Sequence, residues 1–505
     1  MSINIYPVTQ TEITTENYEI KINGIRVTPN TARVSAVPFN RRWPGHQRGK
    51  EQTELINFVS LSSDEPLEFE IKPKQPFKSV TVRPLSLNIT PETVNGVIRF
   101  TLSKPAYFTV EPFGRSNALH IFVDPVCNYG ANINDENVIY YGAGEHDAGM
   151  IELKSNQTLY IDEGAVVYAC VRAKDAENIK IIGRGILDNS RNKEKILFEY
   201  NAENNDTAII NAVREHTVQL EYCTDIEIEG ITVRDSLVYN IRPIGCKNLD
   251  ISNVKLIGNW RYNSDGIDMH NCENVVIDNC FIRTFDDSVC VKGFDCYYSN
   301  DVKAAVKAAM YRNGKAYDVF KNVLVKNCTV WNDWGKCLEI GAETRAEEIK
   351  DIVFENCDII HVSSNPLDCF NVDYAYIHNV MYRNINVEYD DIIPVPQLQK
   401  SDGEVYDQKE TEYVPQLISI TTEYHFEYSA GGERRGKING ITLENIRLFG
   451  RQIPKIYIDG YDAEHKTENV LIKNLYHNGK LLEKIEPDYL HLGEYTENIL
   501  YTVTC

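Results

Sequence analysis

Two short segments carry the residues that could do chemistry. The first is Asn263-Ser264-Asp265-Gly266-Ile267-Asp268-Met269-His270. The second is Asp286-Asp287-Ser288-Val289-Cys290-Val291-Lys292, with Asp287 standing 22 residues after Asp265. Asp265, Asp286 and Asp287 thus occupy two turns, and each turn runs straight into an alternating, β-branched strand. Close carboxylates push one another's proton affinities apart, so one can act as an acid while another acts as a base. Cleavage of a glycosidic bond needs that division of labour: an acid for the leaving oxygen and a carboxylate for the attacking water. Asp268 alone reads as an ordinary solvated turn aspartate.

A repeat must bring the two turns together. From Val138 a signature recurs: a polar residue, Asn or Asp, then alternating apolar residues, then Asn or Gly. It is seen in Ala176-Glu177-Asn178-Ile179-Lys180-Ile181-Ile182-Gly183, in Thr224-Asp225-Ile226-Glu227-Ile228-Glu229-Gly230, and in Glu273-Asn274-Val275-Val276-Ile277-Asp278-Asn279. Further copies start at Lys247, Lys321, Lys350, His378, Asn439 and Glu468. Cys223 and Cys246 are 23 residues apart, and Cys246 and Cys272 are 26 apart. Strand repeats of this length with no obligatory helix predict a parallel solenoid whose rungs share one core. The Asn positions suit turn corners, where the left-handed conformation is tolerated and amides can ladder. The LxxLxL frame of leucine-rich repeats is absent, which leaves a right-handed parallel β-helix.

Equivalent positions on successive rungs of such a helix lie about 4.8 Å apart. Aligning Asp265-Gly266-Ile267 with Asp287-Ser288-Val289, Lys336-Cys337-Leu338 and Arg242-Pro243-Ile244 gives a column Arg242, Asp265, Asp287, Lys336, with Asp286 to one side. Arg242 and Lys336 would temper the repulsion. His270 and Lys292 end equivalent strands and offer hydrogen bonds to a substrate. Glu339 lies on the Lys336 rung. Trp260, Trp331 and Trp334 are close in sequence, and aromatic faces stack on sugar rings; Trp260 and Trp334 join Arg242, His270, Lys292, Lys336 and Glu339 in the expected substrate-binding set.

Residues 1–126 read differently. Short alternating strands such as Tyr18-Glu19-Ile20-Lys21-Ile22 and Leu67-Glu68-Phe69-Glu70-Ile71 are split by turns, which predicts an antiparallel β-sandwich. The Arg41–Arg48 loop carries Trp43, more simply a loop anchor than a ligand platform. A linker near Pro125–Asn134 leads into the solenoid domain, residues 135–505. Two insertions interrupt its period. Residues 296–319 include a short helix, Val302–Met310, with an Asn300-Asp301 N-cap. Residues 390–435 form a long excursion, a length usual for functional or disordered segments. The first follows directly on the acidic segments and is placed to form one wall of a cleft.

The chain has 505 residues, 43% of them hydrophobic, and a formal net charge of −21. That charge argues against nucleic acid and anionic membranes as partners. No run of 18 apolar residues occurs, so no membrane span is expected. The sequence from Met1 shows no basic n-region or apolar h-region, so the expectation is an unexported, cytoplasmic protein. The 13 cysteines are expected to be reduced, buried thiols. No CxxC pair occurs, so neither a zinc site nor another metal or cofactor is expected. The expected partner is a carbohydrate, and nothing in the sequence sets the oligomeric state.

At the acidic segments the chain resembles the polygalacturonase family and the related dextranase/isopullulanase family, both right-handed, pectin-lyase-like β-helix glycoside hydrolases that invert the anomeric centre. Asn263-Ser264-Asp265-Gly266-Ile267-Asp268 is similar to the polygalacturonase Asn-Thr-Asp-Gly-Ile-Asp motif. Asp286-Asp287-Ser288-Val289-Cys290-Val291-Lys292-Gly293 is similar to Gly-Asp-Asp-Cys-x-Ala-Ile-Lys-Ser-Gly. The resemblance implies that Asp286 is the general acid and that Asp265 and Asp287 hold and deprotonate water. The third motif, Gly-His-Gly-x-Ser-Ile-Gly-Ser, falls on Gly335-Lys336-Cys337-Leu338-Glu339-Ile340-Gly341-Ala342, so Lys336 replaces its His. The fourth, Arg-Ile-Lys, which grips a uronate carboxylate, has no match after Glu355. The β-rich N-terminal domain and Leu338–Arg345 resemble the dextranase arrangement. The expectation is an inverting glycosidase of a neutral poly- or oligosaccharide, exo-acting if the insertions block one end of its cleft. The alternatives are a polygalacturonase acting on a pectic oligosaccharide, a lyase or epimerase in which Arg242 or Lys336 serves as base, and a carbohydrate-binding solenoid without catalysis.

Overall fold

The computed structural model describes residues 3–36, 40–41, 49–192, 195–201, 206–213, 215–294, 302–389, 397–398, 415–425, 428–429 and 434–504. Trp43, the Asn300-Asp301 cap and most of the 390–435 excursion lie outside these residues.

From Val138 to Thr502 the chain winds through one 31-stranded, almost wholly parallel sheet. Each turn of the winding contributes one strand to each of three columns. One rung runs Lys247–Ser252, Lys255–Ile257 and Ile267–His270; the next runs Glu273–Asp278, Phe281–Thr284 and Val289–Lys292. The alternation read from the sequence turns every second strand position inward: Leu249, Ile251, Leu256, Ile267 and Met269 all sit in one continuous core. A single rung would leave that face wet, so burial is won only by stacking.

Asparagine fixes the corner before the first column. Asn248, Asn274 and Asn322 have φ of 54, 59 and 59°. Their amides ladder: Asn274 donates to Asn248 Oδ1 at 2.9 Å, and Asn322 to Asn274 Oδ1 at 2.9 Å. Asn is chosen because its short polar side chain tolerates the left-handed region and then satisfies its neighbour. Cysteine is used inside: among the described residues Cys127 is exposed and ten cysteines are free and buried.

The N-terminal part forms two sheets around their own core, including Ile20, Phe69, Phe100, Phe108 and Ile121. Most pairings are antiparallel, as expected from the sequence. The exception is the pairing of Thr53–Ser62 with Leu119–Asp124, which is parallel. The chain between them crosses to the other sheet and back twice, the long connection that parallel neighbours require. One face of this sandwich docks on the second strand column of the helix. Phe58, Tyr107 and Phe122 pack with Ile257, Phe281, Trp331 and Ile360.

The helical insertion is present as Val302–Met310. Met310 and Phe294 cover Tyr222, Ile244 and Tyr317 on the outside of the third column.

Candidate active site

The acidic turns connect the second column to the third. Register pairs Ile267 with Val289, Val289 with Leu338 and Leu338 with Leu367. Gly266 N–H donates to Asp287 O at 2.8 Å, and Ser288 N–H to Lys336 O at 2.8 Å. Asp265, Asp287 and Lys336 therefore stack on consecutive rungs, as the 22-residue offset implies.

Arg242 does not belong to that column. Ile241 pairs with Ile267 and Ile244 with His270, which sets Arg242 level with Asp268. Tyr239 takes the position above Asp265. The frame misleads because Ile244 looks like the inward residue, yet it points outward into the small apolar cluster under the helical insertion. Arg242 is directed at two histidines, 3.4 Å from His270 Nε2 and 3.0 Å from His216 Nε2.

Asp268 is fully buried, not a solvated turn residue. It faces outward from its strand, but the flanking turns cover that face. Its Oδ2 is 2.8 Å from Lys292 Nζ, which also lies 3.4 Å from Asp265, 3.9 Å from Asp287 and 3.8 Å from Glu343. One ammonium thus serves four carboxyl groups. Burial, followed by the charges of Asp268 and Asp286, raises the proton affinity of Asp265 well above the ordinary carboxylate range. The Oδ1 atoms of Asp265 and Asp268 are buried with no hydrogen-bond partner among the described residues.

A second cluster lies one rung on. Lys336 Nζ is 2.7 Å from both Glu339 Oε1 and Asp368 Oδ2. Burial and then Asp287 push Glu339 well up, and burial likewise raises Asp368. Burial disfavours the Lys336 ammonium, but Asp368 and Glu339 outweigh it and hold the proton firmly. Asp268, Cys290, Glu339 and Asp368 form one outward-facing column. Asp287, Cys290 and Glu339 bring possible ligand atoms within 4.8 Å of one another. Burial pushes the Cys290 thiol up.

Asp286 and Asp287 are half-buried, at the open side of this cluster. Asp286 Oδ2 accepts the Asn263 N–H at 3.2 Å, and Asp287 Oδ1 accepts the Lys336 N–H at 2.9 Å. Glycine is required at 335, where a Cβ would lie 2.6 Å from the backbone of both Asp286 and Asp287. Asn332 ties the turns together. Its amide nitrogen lies 2.7 Å from Asp286 O, 3.2 Å from Ser288 Oγ and 3.2 Å from Lys336 O. Arg115 of the N-terminal sandwich donates to Asn332 O at 2.8 Å, so the second domain braces the acidic turn.

The aromatic residues divide. Trp334 is half-buried beside Asp287 in the turn and stacks on Phe285, with centroids 5.9 Å apart. Trp260 is only 6% exposed; its Nε1 bonds Asp235 and the Arg261 guanidinium lies over its ring, so it offers no open sugar platform. Trp331 is fully buried in the domain interface, against Arg283 and His361, and belongs to packing. His270 is buried, with Nδ1 2.9 Å from Gly293 O. The structure thus gathers Asp265, Asp286, Asp287, Lys292, Lys336 and Glu339. Sequence reasoning missed Asp268, Asp368 and Asn332; the matching strand register of Asp268, Glu339 and Asp368 was the available signal.

A parallel β-helix with a stack of carboxylates on its third face has the architecture of β-helix glycoside hydrolases. Its fold aligns with Dex49A from Penicillium minioluteum over 100% of both chains, with a TM-score of 0.60 at 12% identity. Residues 145–395 match the model of Glycosyl hydrolases family 28. Among curated relatives, a "Probable polygalacturonase" of Vitis vinifera is 25% identical over 45% of this chain and 48% of its own length. A "Polygalacturonase" of Gossypium barbadense is 25% identical over 38% of this chain and 41% of its own. The chain therefore spans less than half the length of these relatives.

Proposed function

We propose that the protein is an inverting glycoside hydrolase of a neutral poly- or oligosaccharide. Asp286 protonates the glycosidic oxygen as the bond to the anomeric carbon breaks. A water held by Asp265 and Asp287 attacks that carbon from the opposite face, and one of its protons passes to one of the two carboxylates. The observation that carries this reading is the stacked set Asp265, Asp286 and Asp287, with two members open to solvent and the third buried beside Lys292. A buried carboxylate whose proton affinity rises through its neighbours' charge belongs to a cluster that retains a proton, as an acid/base site must.

A lysine acting as the base of a lyase or epimerase must be neutral. Lys292 and Lys336 are held protonated by their carboxylates, which speaks against that role for either. The missing Arg-Ile-Lys and the formal charge of −21 favour a neutral sugar over the galacturonide implied by the relatives' names.

The test is reducing-end release from isomalto-, malto-, xylo- and galacturonate oligosaccharides by the wild type and by Asp286→Asn. The expected result is hydrolysis of a neutral member and a loss of about 10³-fold in the variant, within the range for a removed general acid. Unchanged hydrolysis by Asp286→Asn removes Asp286 from its role.

A further inference from the structure

The rung beyond Asp287 carries a feature that the hydrolytic reading does not use. Lys336 follows Asp265 and Asp287 in the column, at the level where the sugar adjoining the cleaved bond would lie. Its ammonium is not available there. Glu339 and Asp368 each approach it at 2.7 Å, and the Phe370 ring lies 4.9 Å away. Both carboxyls are buried, whereas the lysine side chain keeps 23% exposure. The trio carries two potential negative charges against one positive. A substrate carboxylate brought to Lys336 would have to compete with Glu339 and Asp368 for its ammonium in a poorly solvated site. A sugar hydroxyl meets acceptors instead.

We propose that Glu339 and Asp368 are specificity-determining residues: by sequestering the Lys336 ammonium they deny it to a uronate and leave the subsite to neutral, hydroxyl-bearing sugars. The inference deepens the proposed function and rests on it. It explains how a lysine can occupy this position without turning the cleft into a uronate clamp. Discrimination comes from an already occupied cation as well as from the hydroxyl contacts.

Calorimetric titration with trigalacturonate and with isomaltotriose, maltotriose and xylotriose tests it on the full chain. The wild type should bind one neutral trisaccharide at least about tenfold more tightly than trigalacturonate. Glu339→Gln/Asp368→Asn should release Lys336 and tighten trigalacturonate about tenfold. Adding Lys336→Met should abolish that gain. The inference is overturned if the wild type binds trigalacturonate as tightly as any neutral sugar or binds none of the four. It is equally overturned if the double variant gains nothing, or if the gain survives without Lys336. Glu339→Gln alone, expected to give about a threefold gain, decides the matter if the double variant fails to fold. Hydrolysis that persists in Asp286→Asn would defeat the acid assignment alone, since the binding order does not depend on that residue.

Discussion

Two outer faces of the same β-helix bury charge, and they do so in opposite ways. On the second column, under the N-terminal sandwich, acids and cations are matched. Asp124 meets Lys255 at 3.0 Å and Arg184 at 3.7 Å; Glu111 meets His361 at 2.9 Å and Arg83 at 3.2 Å; Asp333 meets Arg283 at 3.2 Å and Arg115 at 3.6 Å. Burial works to raise Glu111, yet His361 and Arg83 hold it below the ordinary carboxylate range. On the third column Asp265, Asp268, Asp287, Glu339 and Asp368 share Lys292 and Lys336, and Asp265 and Glu339 are pushed well up. Glu388 is the exception at the interface: burial pushes it up to about 7 despite Arg83. Matched charge fixes a docking geometry; surplus carboxyl groups keep protons to exchange and acceptors to offer.

The comparison breaks first at Lys255. Lys255→Met leaves Asp124 buried beside a lost partner and should cost about 3–5 kcal/mol of unfolding free energy, measured by denaturant titration. An effect below about 1 kcal/mol would mean that the interface tolerates unmatched charge as the cleft does. Asn332→Ala comes next. It removes the amide that holds Asp286 O, Ser288 and Lys336 O, and should lower kcat about 10²-fold with little change in KM, the signature of lost positioning rather than lost binding.

The smallest effect has the opposite sign. Asp265 is raised by burial and like charge, so its share of stability is present below the ordinary carboxylate pKa and is lost as pH rises toward the raised folded value. Asp265→Asn should therefore be inactive yet more stable than wild type at neutral pH, by about 0.5–2 kcal/mol, with the difference vanishing in acid. Thermal melts across pH check this. Equal stability at pH 7 would place Asp265 with the matched acids of the interface.

The sequence makes the fold legible because the β-helix is built from local rules: alternation buries Ile277 and Val275, and asparagine marks the corners. The Asp265–Asp287–Lys336 stack follows from the same spacing. Two things were not legible. Ile244 is apolar for the sake of an insertion packed outside its strand, so it imitates a core position and shifts Arg242 out of register. Asp268 alternates outward, and alternation alone cannot tell an outer face open to water from one roofed by neighbouring turns. Both failures concern what lies over the helix, which no rung encodes. The bracing of Asn332 by Arg115 is hidden for the same reason, since it joins residues 217 positions apart.

The most direct test of the central claim is proton NMR of the anomeric signals while wild-type protein hydrolyses the neutral oligosaccharide it cleaves. With water activated by Asp265 and Asp287 opposite Asp286, the first product to appear is the anomer of inverted configuration, and the other anomer grows in only through mutarotation. Initial release of the retained anomer would contradict the account, because it requires a carboxylate to attack the sugar directly.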